Sequence, residues 1–131
     1  MWGSEMNCDG TILEAGLEAF VRMKKKSDFL GKKALKAKMN EYREQKLTML
    51  EIDAKDIDPE GNESVWLCDR VVGNTTSGCF SPALGKGLAF AYIPSLTDVP
   101  GTELQVEIMG ALHNAKVLSG PPVLTQPVRD K

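Results

Sequence analysis

Residues able to do chemistry are sparse in this chain and poorly matched to one another. One histidine, His113, and three cysteines, Cys8, Cys68 and Cys79, are its whole stock of imidazole and thiol. There is no CxxC pair, so a zinc ion has no ligand set at workable spacing. Nucleophilic catalysis needs a hydroxyl or thiol beside a base, and His113, next to Asn114 in what reads as a turn, is an ordinary surface histidine. Neither a Walker loop nor GxGxxG is present, and Gly85-Lys86-Gly87 is too short to cradle phosphates. The acidic stretch 51–63 lacks the ligand order of a calcium loop. The sequence therefore nominates no catalytic residue and no metal ligand. An odd cysteine count does not fit a disulfide framework and favours a reducing compartment. The thiols read as small, buried or half-buried apolar groups.

One segment stands apart: Gly73-Asn74-Thr75-Thr76-Ser77-Gly78-Cys79-Phe80-Ser81-Pro82. Small hydroxyl residues bracketed by glycines and followed by Ser-Pro fix a bend by bonding to nearby backbone. Its ordinary reading is a strand-to-loop corner; its functional reading is a ligand-lining edge.

The elements that must position such residues come from the periodicity. Ser27 or Asp28 is expected to cap a helix whose apolar stripe is Leu30, Ala34, Leu35, Met39 and Tyr42. From residue 47 the pattern becomes one of strands. Leu47–Ile52 is apolar on both faces, and Asp53–Asn62 is a turn-rich acidic loop. Ser64–Cys68 and Val71–Thr76 read as a hairpin joined at Asp69-Arg70. Leu88–Ile93 ends at Pro94. Leu104, Val106 and Ile108 alternate with Gln105 and Glu107, and Ala115–Leu118 follows a break at Gly110. Five or six short strands with regular turns make a small barrel or sandwich, and residues 1–43 read as a different layer from 44–131.

Composition sets the outer limits. A 131-residue chain with 42% hydrophobic residues and a formal charge of −2 is one domain with its own core. No apolar run of about 18 residues exists, so no membrane-spanning helix is expected. The near-neutral balance argues against a general nucleic-acid binder. Charge is uneven, however. Residues 22–46 carry ten Lys/Arg against three acids, and 51–63 carry six acids against Lys55. The basic stretch is either a solvated helical face or a cationic surface for an anionic tail, an acidic partner or RNA.

The string Val72-Gly73-Asn74-Thr75-Thr76-Ser77-Gly78-Cys79-Phe80-Ser81-Pro82-Ala83-Leu84, continuing to Ala91-Tyr92-Ile93-Pro94, resembles the G-x-x-TSG-x-x-SP-x-L…A-x-x-Y-[VI]-P pattern of the aminomethyltransferase family. Glycine-cleavage T-protein and the C-terminal halves of dimethylglycine and sarcosine dehydrogenases belong to that family. Trp2-Gly3-Ser4-Glu5-Met6-Asn7 with Leu13-Glu14-Ala15-Gly16-Leu17, and Ser27-Asp28-Phe29-Leu30-Gly31-Lys32-Lys33-Ala34-Leu35, resemble two further blocks in the right order. The first block and Asp58–Ser64 are most similar to the dimethylglycine dehydrogenase branch.

The resemblance implies a mainly β, α+β fold. Residues 1–43 would be the helix-containing remnant of a folate-binding domain, and 44–131 a closed, six-stranded, Greek-key-like β-barrel. It implies a parent flavoenzyme of the mitochondrial matrix, in choline and betaine breakdown. An FAD domain there oxidises an N-methyl amine, and a folate region passes the one-carbon unit to tetrahydrofolate. The family's catalytic carboxylate and folate-gripping arginine fall upstream of residue 1. The chain is thus expected to be a fragment, inactive alone, that partners the upstream folate and flavin domains. Two positions carry over. Trp2 matches an aromatic near the folate ring, and Lys46 lies near an arginine position facing the glutamate tail. Cys68-Asp69-Arg70 departs from the Asn-Gly-type turn common in relatives. The alternative expectation is a stand-alone barrel that holds an acidic partner or RNA through residues 22–46. A complete small enzyme is the least favoured reading.

Overall fold

The computed structural model describes residues 2–8, 10–55 and 57–122. Six strands form one closed barrel: β1 (Gln45–Ile52), β2 (Ser64–Leu67), β3 (Arg70–Ser81), β4 (Lys86–Pro94), β5 (Glu103–Ile108) and β6 (Ala111–Val117). They run β1-β4-β3-β2-β5-β6 around the barrel, every neighbour antiparallel, so no long edge is left open. Positions 123–131 of the expected barrel segment lie outside the described residues.

The barrel closes around inward rows of strictly alternating residues. Leu50 and Ile52 on β1, Val65 on β2, Ala89, Ala91 and Ile93 on β4, Leu104, Val106 and Ile108 on β5, and Ala115 and Val117 on β6 are all buried. Small alanines stand opposite branched residues, Ala89 facing Leu50 and Ala115 facing Leu104, as a narrow barrel interior requires. One end is plugged by Pro59, fully buried on the acidic loop against Gly78 and Gly87. That loop is held by the Glu63 carboxylate. It accepts N–H bonds from Glu60 (2.6 Å) and Gly61 (3.0 Å) and a short hydroxyl bond from Thr75.

Several sequence expectations are corrected in detail. The helix, α1, spans only Lys32–Lys38, and its N-cap is Gly31 in the left-handed region (φ 88°), not Ser27 or Asp28. Asp28 instead accepts from the Phe29 N–H at 2.9 Å. The expected stripe finds no barrel to pack on. Leu30 and Tyr42 are exposed, while Leu35 and Met39 face an open groove of about 580 Å³ shared with Ile12, Val21 and Met23. The hairpin turns one residue early, at Cys68-Asp69, because Cys68 adopts φ 53° and Arg70 already pairs with Leu67. The strand read as ending at Thr76 runs on to Ser81. β6 begins at Ala111, since Met109 and Gly110 both take positive φ and close a two-residue hairpin. His113 therefore sits in β6 opposite Val106, half-buried, with its Nε2 enclosed and unpartnered.

The cysteines, expected to be at least half-buried, are all exposed. For Cys79 the reason is a β-bulge. The β3–β4 register shifts between Thr75 and Ser77, so Thr76 is the extra residue. Thr75 points inward opposite Ala91, and every later residue of β3 changes face.

Candidate functional site

The bulge also builds the most organised polar cluster on the barrel's outer surface. Without it, Thr76 and Ser77 would point to opposite faces. With it, both hydroxyls turn outward and meet Glu5. Ser77 Oγ donates to Glu5 Oε1 at 2.5 Å, and Thr76 Oγ1 lies 3.3 Å from the same oxygen. On β4 the Tyr92 hydroxyl donates to the Glu5 carbonyl at 2.6 Å. Burial, and secondarily the Glu14 carboxylate, push the Tyr92 phenol above its ordinary value, keeping it a neutral donor. Two barrel strands thus grip one residue by its side chain and its backbone.

Glu5 belongs to a tight turn. Gly3 takes φ 93°, its N–H donates to the Met6 carbonyl at 2.7 Å, and Trp2 returns to bridge Met6. The Trp2 indole stands 67% exposed. Below this turn lies a cavity of about 650 Å³, mostly apolar, lined by Met6, Ala15, Leu17, Leu47 and Phe90 with Glu5 and Ser77 at its polar edge. Residues 11–17 complete the wall. Leu13 is buried, and the Leu47 N–H donates to the Glu14 carbonyl at 2.8 Å along the part of β1 that β6 does not reach. Arg43 fastens this wall from behind through a 2.9 Å ion pair with Glu18.

Lys46 lies elsewhere. Its row on β1 continues through Thr48, Leu50 and Ile52, so it faces the barrel's open end, opposite Ile93. There its ammonium pairs with Asp98, whose other carboxylate oxygen accepts from Thr48 Oγ1 at 2.7 Å. Trp2 belongs to the turn that Tyr92 holds by the Glu5 carbonyl on the outer face, and Lys46 to the inner row. The structure does not bring the two together on one face. Among the described residues, no three His, Cys, Asp or Glu side chains converge as a metal site would require.

Sequence reasoning missed the Glu5 cluster because its members are 71 to 87 positions apart. A signal was present: Thr76, Ser77 and Tyr92 are polar residues of the recognised pattern with no partner near them in sequence. The glycines of that pattern have geometric reasons. A Cβ on Gly78 would meet Pro59 at 2.8 Å, and one on Gly73 would overlap the Tyr92 carbonyl.

Comparison with known proteins agrees with this architecture. Residues 45–123 match the model of the glycine cleavage T-protein C-terminal barrel domain. The chain is 49% identical over 128 residues to mitochondrial dimethylglycine dehydrogenase of Mus musculus, covering 98% of this chain and 15% of that protein. It is 40% identical over 121 residues to the aminomethyltransferase of Bacillus subtilis strain 168, covering 92% of this chain and 33% of that one. The crystal structure of glycine cleavage system aminomethyltransferase T from Bartonella henselae superposes on 91% of the chain and 34% of its own, with a TM-score of 0.76 and 24% identity, a likeness of fold. The chain thus spans between about a seventh and a third of the proteins it matches. On its barrel and on these relatives, the chain belongs to the glycine cleavage T-protein C-terminal barrel domain family.

Proposed function

We propose that this chain is the C-terminal folate-region module of a dimethylglycine-dehydrogenase-like flavoenzyme of the mitochondrial matrix. In this reading 1–43 is the tail of the folate-binding domain and 44–131 its barrel. The parent protein's FAD domain oxidises an N-methyl amine. Its folate region passes the one-carbon unit to tetrahydrofolate, while this chain supplies a wall of that cavity and no reacting group. The observation that carries the reading is 49% identity over nearly the whole chain to a stretch that is 15% of a mitochondrial dimethylglycine dehydrogenase.

One residue present, Trp2, supports a contact with one side of a folate. An exposed indole offers its flat face to a heterocycle, which gains by stacking as well as by burial. Trp2 would take the ring. Lys46, off the Trp2 face and paired with Asp98, would offer an anionic tail reaching around the barrel only a shared point charge without an arginine's fork. The unpartnered apolar residues Leu30, Met39 and Tyr42 are the contacts expected of a piece that rests on upstream domains.

Gel filtration with a separately produced upstream folate domain tests the reading. Co-elution as a 1:1 complex supports it, and independent elution at micromolar concentration overturns it. A second reading, an electrostatic hold on an acidic partner or RNA, draws on the exposed Lys33, Lys36 and Lys38. It predicts retention that falls steeply with salt.

A further inference from the structure

We propose that Glu5 is a positioning residue, a latch through which the barrel's Thr76, Ser77 and Tyr92 hydroxyls aim the Trp2 indole for folate without touching the ligand themselves. The inference rests on the folate reading above and adds to it a role for barrel residues that lie outside any reacting centre.

The geometry points to a latch for three reasons. First, the contacts converge on one residue from two strands: Ser77 at 2.5 Å and Thr76 at 3.3 Å on the carboxylate, Tyr92 at 2.6 Å on the carbonyl. Gripping side chain and backbone together fixes both the position and the rotation of the residue. Secondly, the Trp2 backbone is tied to the turn that carries Glu5. The Gly3 N–H bond to Met6 and the Trp2–Met6 bridge make residues 2–6 one closed turn. Thirdly, the Ser77 and Tyr92 hydroxyls are spent on the turn, and Thr76 Oγ1 is shared between Glu5 and the Phe90 carbonyl, each at 3.3 Å. Tyr92 is held neutral, which suits a donor to a carbonyl. Ser77 reaches the outer face only through the bulge at Thr76, a local ladder disruption that needs a reason. A stacking platform misplaced by an ångström loses much of its contact, so a rigid aromatic on a fastened turn binds better than the same aromatic on a loose one.

The test is a double-mutant cycle with two readouts. In the protein joined to its upstream folate domain, Ser77→Ala should weaken tetrahydrofolate binding on the order of tenfold, as loss of a charge-assisted hydrogen bond does. Ser77→Thr, which keeps the hydroxyl, should restore it. In a Trp2→Ala background, Ser77→Ala should cost almost nothing further, because the latch acts through Trp2. Costs that simply add would mean that Ser77 or Glu5 touches the ligand directly, and would overturn the proposal. The second readout needs no folate. In a Trp66→Phe background, Ser77→Ala and Tyr92→Phe should raise acrylamide quenching of Trp2 emission in this chain, while the far-UV spectrum of the barrel stays unchanged. Unaltered quenching overturns the latch itself. Altered quenching with no folate bound by the unsubstituted joined protein overturns the folate reading and the ligand-aiming role, leaving the latch as a structural fastening.

Discussion

Replacing Gly73 by alanine should be among the most damaging single-methyl changes available in this chain. Gly73 lies on β3 beside the Tyr92–Ile93 backbone of β4. An added Cβ would overlap the Tyr92 carbonyl oxygen and stand 3.0 Å from its carbon and 3.4 Å from Ile93 Cα. These are backbone atoms of a paired strand, so no rotamer change relieves the clash; the strands must part. Overpacking of this kind costs about 1–3 kcal/mol. Each ladder hydrogen bond stretched beside Asn74 and Tyr92 adds about 1 kcal/mol. The expected loss is therefore about 3–5 kcal/mol, a large share of the roughly 5–15 kcal/mol that holds a domain together. Urea unfolding reads it directly, with Gly120→Ala as the control, because nothing lies within 4 Å of a Cβ there and its φ is unremarkable. Gly85→Ala should fall between, at about 1–2 kcal/mol, since φ 63° strains an L-residue although the space is open. If Gly73→Ala unfolds within 1 kcal/mol of Gly120→Ala, the β3–β4 register described above is wrong.

Four further outcomes follow from named contacts. Burial raises the Glu63 carboxyl, but the Thr75 hydroxyl and the Gly61, Glu60 and Glu63 N–H groups outweigh it and hold the group below its ordinary 4.5. Its stabilisation is therefore complete above pH 4.5 and fades as acid protonates the folded state, so Glu63→Gln should flatten the acid limb of a stability–pH curve. Lys46→Met should cost about 1–2 kcal/mol in thermal unfolding, because the Asp98 side chain, only 15% exposed, loses its cation. Lys38→Met, in an exposed 4.0 Å pair with Glu41, should change stability by only a few tenths of a kcal/mol. His113→Phe should raise the melting temperature, since it removes an enclosed nitrogen with no partner at a cost of about 1 kcal/mol or more; a lower value would mean that Nε2 has a partner such as water.

The parts of the fold legible in the sequence are those where one physical signal acts alone. β5 shows clean alternation and one buried face, and β4 is a continuous apolar run stopped by Pro94. Signals failed where backbone conformation overrode residue type. Cys68 and Met109 occupy left-handed turn positions that their types do not advertise, which moved one hairpin turn and the start of β6. The bulge at Thr76 reversed the inside–outside order of β3 and carried Cys79 to the surface. The helix around Leu35 is shorter than its apolar stripe, because such a stripe marks a face that will be covered without naming the cover. Lys32 shows the same blindness: its ammonium caps the Lys25 carbonyl at 2.8 Å and lies 5.8 Å from the Phe29 ring, contacts no charge count contains. Trp2 was legible as an aromatic of interest, whereas its fastening through Glu5 required knowing which strands are neighbours.

Calorimetric titration of tetrahydrofolate into two samples, this chain alone and this chain joined to the upstream folate-binding domain, bears most directly on whether a wall without the rest of its cavity can bind. The account predicts no measurable heat of binding for the first and saturable one-to-one binding for the second, weakened by Trp2→Ala. Equal affinity in both samples, or none in either, would contradict it.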